Sequence, residues 1–262
     1  MQINFLKYQG TGNDFIIIDN RKMQFDRSDN ALVAKLCDRR FGIGADGLML
    51  LQEKIGYDFE MVYYNSDGNE SSMCGNGGRC IVEFARTLGL VKLRANFLAS
   101  DGEHEAMVST GFISLRMNNV SKIEMNASHS YLNTGSPHYV AFVSDVNNFN
   151  VYEEGKKIRY NDRFKEKGTN VNFVEKQYND LYVRTYERGV EGETYSCGTG
   201  VTAAALVASL KEVATATDYC DIKTLGGDLK VKFTRHPDNS FTDIWLEGPA
   251  TFVFKGELSV ND

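Results

Sequence analysis

The chain is written twice. Cys74-Gly75-Asn76-Gly77 and Cys197-Gly198-Thr199-Gly200 stand 197 − 74 = 123 positions apart, and other identities keep that offset without a gap. Tyr8 matches Tyr131, Thr11-Gly12 matches Thr134-Gly135, Arg40-Phe41 matches Arg163-Phe164, Tyr63 matches Tyr186, and Glu70 matches Glu193. Such a duplication restricts the architecture to two halves built alike, each of about 120 residues and so able to hold its own core.

Local patterns agree between the halves. A Thr-Gly turn leads into a short apolar run at 13–18 and again at 137–143, as a strand would. After each Cys-Gly-x-Gly the period becomes helical, over 79–90, where Gly89 suits a C-cap, and over 201–210. A further helix is expected over about 28–40, where Ala31, Leu32, Lys35 and Leu36 follow an Asp/Ser-rich start. Residues 1–5 read as a strand entry. Strands are also expected at 48–52, 59–64, 106–109, 112–117, 171–175, 181–186, 229–233 and 243–246. The class is α+β, and the polar segment 118–131 is the expected crossing between halves.

Charge and composition exclude several functions. The net charge of -6 comes from 29 basic and 35 acidic residues interspersed along the chain, so no basic stripe offers itself to nucleic acid or anionic lipid. The run 201–210 is too short to span a bilayer, and the first residues lack a signal-peptide pattern, so a cytoplasmic location is expected. Five irregularly spaced cysteines suit a reducing compartment better than a disulfide framework. On that reading, the sequons at Asn69 and Asn126 carry no glycan. Gly42-Ile43-Gly44-Ala45-Asp46-Gly47 spells a dinucleotide fingerprint but follows a helix and precedes a strand, the reverse of the order such a site needs. Zinc would want closely paired ligands, whereas Cys74 and Cys80 are separated by five residues and the histidines are scattered. Neither a metal nor an organic cofactor is expected.

Cys74 and Cys197 both fall at an expected helix start. Unpaired N–H groups there carry partial positive charge, which stabilises a thiolate and can cradle a carboxylate. When an α-proton leaves an amino acid, charge flows into that carboxylate, so the same N–H groups stabilise the enolate-like product. One thiolate removing the proton and a second thiol returning one to the opposite face inverts the stereocentre. Cys37, Cys80 and Cys220 have no cysteine counterpart at the repeat offset and are read as buried apolar residues.

The stretches Gly10-Thr11-Gly12-Asn13-Asp14-Phe15, Asn65-Ser66-Asp67-Gly68-Asn69-Glu70, Cys74-Gly75-Asn76-Gly77-Gly78-Arg79-Cys80, Tyr186-Glu187-Arg188-Gly189 and Cys197-Gly198-Thr199-Gly200 resemble the diaminopimelate epimerase family, and the resemblance runs end to end. It implies two pseudo-symmetric domains, each a curved, mostly antiparallel sheet wrapped around a central helix, with the active site in the cleft between them. The domains would be 1–119 plus 251–262 and 120–250. It implies a cofactor-independent homodimer that converts LL-2,6-diaminopimelate to the meso isomer for lysine and peptidoglycan synthesis. Cys74 would be base and Cys197 acid in that direction. Gly75, Asn76, Gly198 and Thr199 would hold the reacting carboxylate, and Glu187 the ammonium. Asn65, Asn170 and Arg188 would read the distal carboxylate, Asn13 would line the pocket, and His138 would orient a cysteine or help ionise it. Gly47 and Ser136 depart from the Gln and Asn of some members, which puts affinity for the distal end in doubt.

Two rival readings stand beside this one. A racemase of another polar amino acid, such as histidine, would lack the need for Arg188. A redox sensor would use Cys74 and Cys197 as a regulatory disulfide.

Overall fold

A computed structural model describes residues 2–214 and 216–259. The chain divides into two compact units. One runs up to Leu115 and resumes at Pro249, and the other is Arg116–Gly248.

In the first unit β1 (Gln2–Gly10) turns back into β2 (Asn13–Asp19), and α1 (Asn30–Cys37) leads to β3 (Gly47–Gln52), parallel to β2. β4 (Phe59–Asn65) lies antiparallel to β3. Its far edge is shared by β5 (Glu70–Ser71) and β6 (Arg94–Ala99), with α2 (Gly75–Thr87) between them in sequence. β7 (Gly102–Ser109) and β8 (Phe112–Arg116) continue antiparallel, and the chain's last strand, Thr251–Ser259, closes on β1.

The second unit repeats this plan. β9 (Ile123–Met125) takes the last strand's place beside β10 (Ser130–Asn133), which pairs with β11 (Pro137–Phe142). After α3 (Val151–Arg159), β12 (Asn170–Gln177) runs parallel to β11, and β13 (Asp180–Glu187) antiparallel to β12. β14 (Gly192–Thr194) and β15 (Tyr219–Thr224) share the edge of β13, with α4 (Gly198–Leu210) between them. β16 (Gly227–Arg235) and β17 (Phe241–Gly248) complete the sheet. Shifted by 123, the bounds of α2 become those of α4.

Each sheet packs on its own long helix. α4 touches β10 to β13 and β15 to β17, and Val201, Leu206 and Val207 are fully buried. A helix apolar on all faces belongs inside, and each of those side chains contributes roughly 1.5–3 kcal/mol by leaving water. α2 packs in the same way on β1, β2, β3 and β7. Among the described residues no helix is long and apolar enough to cross a membrane.

Local physics moves several boundaries. Both long helices begin earlier than their apolar pattern, because the glycines after each cysteine are poor helix formers that still take the first turn. Gly78 N donates to Cys74 O at 2.7 Å and Val201 N to Cys197 O at 2.9 Å. α1 stops at Cys37, short of the expected 40, since the chain doubles back there. Ile43 N and Gly44 N both donate to Leu36 O, and Gly42 packs on the carbonyls of Lys35 and Leu36, where a Cβ would collide. α3 has too few apolar residues to show a period; Asn150 caps it and Gly155 packs against Tyr186. β6, β10 and β15 lie outside the strands expected from the sequence, and β9 falls within the segment read as a crossing.

Candidate active site

Cys74 is the N-cap of α2 and Cys197 the N-cap of α4, both in extended backbone conformation with no side-chain cap hydrogen bond. Each therefore precedes three backbone N–H groups of a first turn, at residues 75–77 and 198–200. A buried threonine from the repeated Thr-Gly turn braces each turn. Thr11 Oγ1 lies 3.5 Å from Asn76 Oδ1, and Thr134 Oγ1 donates to Thr199 O at 2.9 Å. The sequence reading used these threonines to register the repeat but gave them no role; their shared offset from the helix starts was the available signal.

In the first unit Asn13 is oriented by Asp46. Its Nδ2 donates to Asp46 Oδ2 at 2.6 Å, leaving Oδ1 3.6 Å from Cys74 Sγ and 3.4 Å from Asn76 Nδ2. The carboxylate can only accept, which fixes the amide orientation. Arg79, fully buried, bonds Thr11 Oγ1 at 3.2 Å, Pro249 O at 3.3 Å and Gly75 O at 3.4 Å, tying the helix start to the Thr-Gly turn and to the returning segment. Asn65 ends β4 exposed and stands opposite Gly47 in the ladder. A Cβ on Gly47 would come within 2.6 Å of the Tyr63 ring and of Tyr64 O, so a longer residue requires those groups to move.

The second unit gathers His138, Asn170, Glu187, Arg188, Cys197, Gly198 and Thr199. Arg188 is exposed. Its Nη2 donates to Ser136 Oγ at 3.3 Å and its Nη1 to Lys167 O at 3.2 Å, while its backbone N donates to Asn170 Oδ1 at 2.9 Å. Gly168, at φ +75°, gives the arginine stem room, since a Cβ there would lie 2.6 Å from Arg188 Cδ. Asn170 Nδ2 is already engaged by Ser136 Oγ and Pro137 O, both at 3.0 Å, so this amide acts here to hold Ser136 and Arg188. Ser136, the smaller residue at this departure, touches the guanidinium directly. Glu187 Oε2 accepts from Thr194 Oγ1 at 2.8 Å.

His138 is fully buried, and burial, with a smaller push from the Arg188 charge, lowers its pKa to about 3. A histidine lowered on folding leaves stability intact above its ordinary 6.5 and removes it as pH falls towards the folded value, because the unfolded chain takes the proton first. Below pH 6.5 the wild type should therefore lose about 1.4 kcal/mol per pH unit more than His138→Gln. Urea unfolding across that range measures the difference, and parallel slopes would contradict a neutral buried imidazole.

All five cysteines are free thiols. Cys37, Cys80 and Cys220 are buried, and desolvation pushes each up to about 12, which keeps them protonated and inert at neutral pH.

The family model of diaminopimelate epimerase matches residues 5–122 and 130–253. The diaminopimelate epimerase of Flavobacterium psychrophilum is 52% identical over 251 residues, covering 95% of this chain and 97% of that protein. The chain belongs to the diaminopimelate epimerase family. It is an isomerase of that family, and Cys74 and Cys197 both lie within the matched residues. Solved structures share its α+β fold at low identity. A Bacillus anthracis phenazine biosynthesis protein of the PhzF family superposes with a TM-score of 0.77 at 15% identity, covering 99% of this chain and 100% of that one. A hydroxyproline epimerase from Agrobacterium vitis gives 0.70 at 12%, covering 100% and 93%.

Proposed function

We propose that this protein epimerises LL-2,6-diaminopimelate to meso-diaminopimelate without a cofactor, supplying lysine and peptidoglycan synthesis in the cytoplasm. The observation that carries the reading is the duplicated one: a cysteine caps each of two matching helices, each with a glycine-rich first turn behind it. The Cys74 thiolate takes the α-proton, and the electron pair moves into the substrate carboxylate as an enolate. The Cys197 S–H then returns a proton to the opposite face, leaving Cys197 as thiolate; the reverse reaction exchanges the roles. The N–H groups at residues 75–76 and 198–199 hold the carboxylate as its charge grows. Glu187 accepts from the α-ammonium. The Arg188 guanidinium, with Asn65 at the end of β4, reads the distal carboxylate, and Asn170 positions that guanidinium by holding Ser136 and the Arg188 backbone N–H.

A homodimer is part of this reading. The last strand pairs only with β1 among the described residues, and Phe252, Val253 and Phe254 on it are exposed, an apolar edge of the kind that a second copy covers.

The test is incubation of reduced protein with LL-diaminopimelate in deuterated water, following α-proton loss by NMR and the isomers by chiral separation. Deuterium at the α-carbon together with the meso isomer is the expected result. Absence of both from folded, reduced protein rejects this substrate and turns the search to other polar amino acids, histidine first.

A further inference from the structure

The residue two places after each cysteine differs between the halves: Asn76 follows Cys74, and Thr199 follows Cys197. In the first unit Cys74 Sγ faces Asn13 Oδ1, a carbonyl oxygen that can only accept, while the Asn76 amide turns to Asn13 and Thr11. In the second unit the counterpart of Asn13 at the repeat offset is Ser136, which bonds Asn170 and Arg188. A hydroxyl faces the cysteine there instead. Thr199 Oγ1 lies 3.6 Å from Cys197 Sγ and has no second hydrogen-bond partner among the described residues.

The turn holds this pair together. Thr199 O accepts from the buried Thr134 hydroxyl at 2.9 Å, and a Cβ on the neighbouring Gly135 would stand 3.8 Å from Thr199 Cγ2, so the methyl lies towards the Thr-Gly turn and the hydroxyl towards the thiol. Gly200 keeps the thiol against the helix start, since a Cβ there would lie 3.3 Å from Cys197 Sγ and collide with Asn172 Oδ1 of β12.

A hydroxyl both donates and accepts, and its hydrogen rotates freely. Cys197 needs such a neighbour, because in the reaction proposed above it begins as a thiol and ends as a thiolate. We propose that the Thr199 side chain is a positioning residue for Cys197, its hydroxyl accepting from the thiol and then donating to the thiolate left when the proton goes to substrate. The second contact is charge-assisted and the stronger of the two, so it favours the ionised form. On the strands that α4 packs against, the titratable and charged groups include His138 of β11, Glu187 and the adjacent Arg188 at the end of β13, Arg184 paired with Glu193, and Arg235, which binds the far end of α4 at Ser209 O. A change from hydroxyl to methyl at residue 199 leaves all of these in place. The inference rests on the reading of Cys197 as catalytic, but the hydrogen bond stands apart from any substrate.

The experiment is iodoacetamide labelling of the reduced, substrate-free chain across pH, with the Cys197 peptide followed by mass spectrometry. It is done in a Cys74→Ala background, so that Cys197 titrates alone. Thr199→Val keeps the branched shape and Thr199→Ala removes it, and both should raise the midpoint of Cys197 labelling by about one pH unit. Thr199→Ser should restore the midpoint. A midpoint unmoved by both the valine and alanine variants overturns the proposal, and so does a serine variant that shifts as far as they do, because the hydroxyl is then not the cause. With Cys74 present, Thr199→Val should lower kcat on the order of 10-fold with KM little changed, since the backbone N–H of residue 199 remains. The expected shift in protein that turns over no diaminopimelate would uphold the hydrogen bond and count against the proposed substrate.

Discussion

Cys74→Ala and Cys197→Ala should each lower the rate of inversion by ~10⁴-fold, the upper end of what one positioned proton donor or acceptor contributes. Neither should disturb the fold. Cys74 is only partly buried, neither thiol caps its helix by a side-chain hydrogen bond, and the turns are braced independently by Thr11 and Thr134. The two losses should differ in kind. With Cys74 retained, Cys197→Ala should still exchange the α-proton of the LL isomer slowly with solvent, returning it to the face it left. Cys74→Ala should do the same with the meso isomer. Exchange without inversion separates a missing partner from a missing base. Inversion at wild-type rate in either variant would remove that cysteine from the chemistry.

Arg188→Ala should lower kcat/KM for diaminopimelate by ~10²–10³-fold, equivalent to about 3–4 kcal/mol, the scale of a bidentate guanidinium–carboxylate contact together with the cost of leaving the carboxylate unmatched. Ser136 Oγ and Lys167 O grip one side of the guanidinium, and these neutral groups leave its charge for a ligand. Arg188→Lys should recover little, because an ammonium on a flexible stem keeps neither the fork nor those two contacts. Steady-state kinetics with diaminopimelate and with an analogue lacking the distal carboxylate makes the comparison. The variant and the wild type should turn over the analogue equally slowly. Unchanged kcat/KM for diaminopimelate would instead favour a racemase of a smaller amino acid.

How legible the site was follows from the interactions that build it. The cysteines were readable because their placement depends on sequence-local events, a strand–glycine turn–helix unit, and because the repeat shows that unit twice. Asn170 was read as a substrate contact, yet its Nδ2 is engaged by Ser136 and Pro137, which are distant in the chain. Asn172 carried no signal at all. Asn172 alternates into a buried face like any strand residue, and only the register of β11 against β12 brings it to His138. Arg79 sits inside a motif, but its burial depends on Pro249, from the far end of the chain.

By itself the sequence determined the α+β class, the duplication, the family and the two helix starts that present Cys74 and Cys197, all set by local period, turn chemistry and identity at a constant offset. Tertiary structure alone decided the rest. Parallel pairing of β2 with β3 and of β11 with β12, burial of His138 as a neutral ring and the brace on Arg188 join residues far apart in sequence. Such contacts depend on which strands become neighbours and in what register, and a one-residue slip turns every side chain of a strand to the other face.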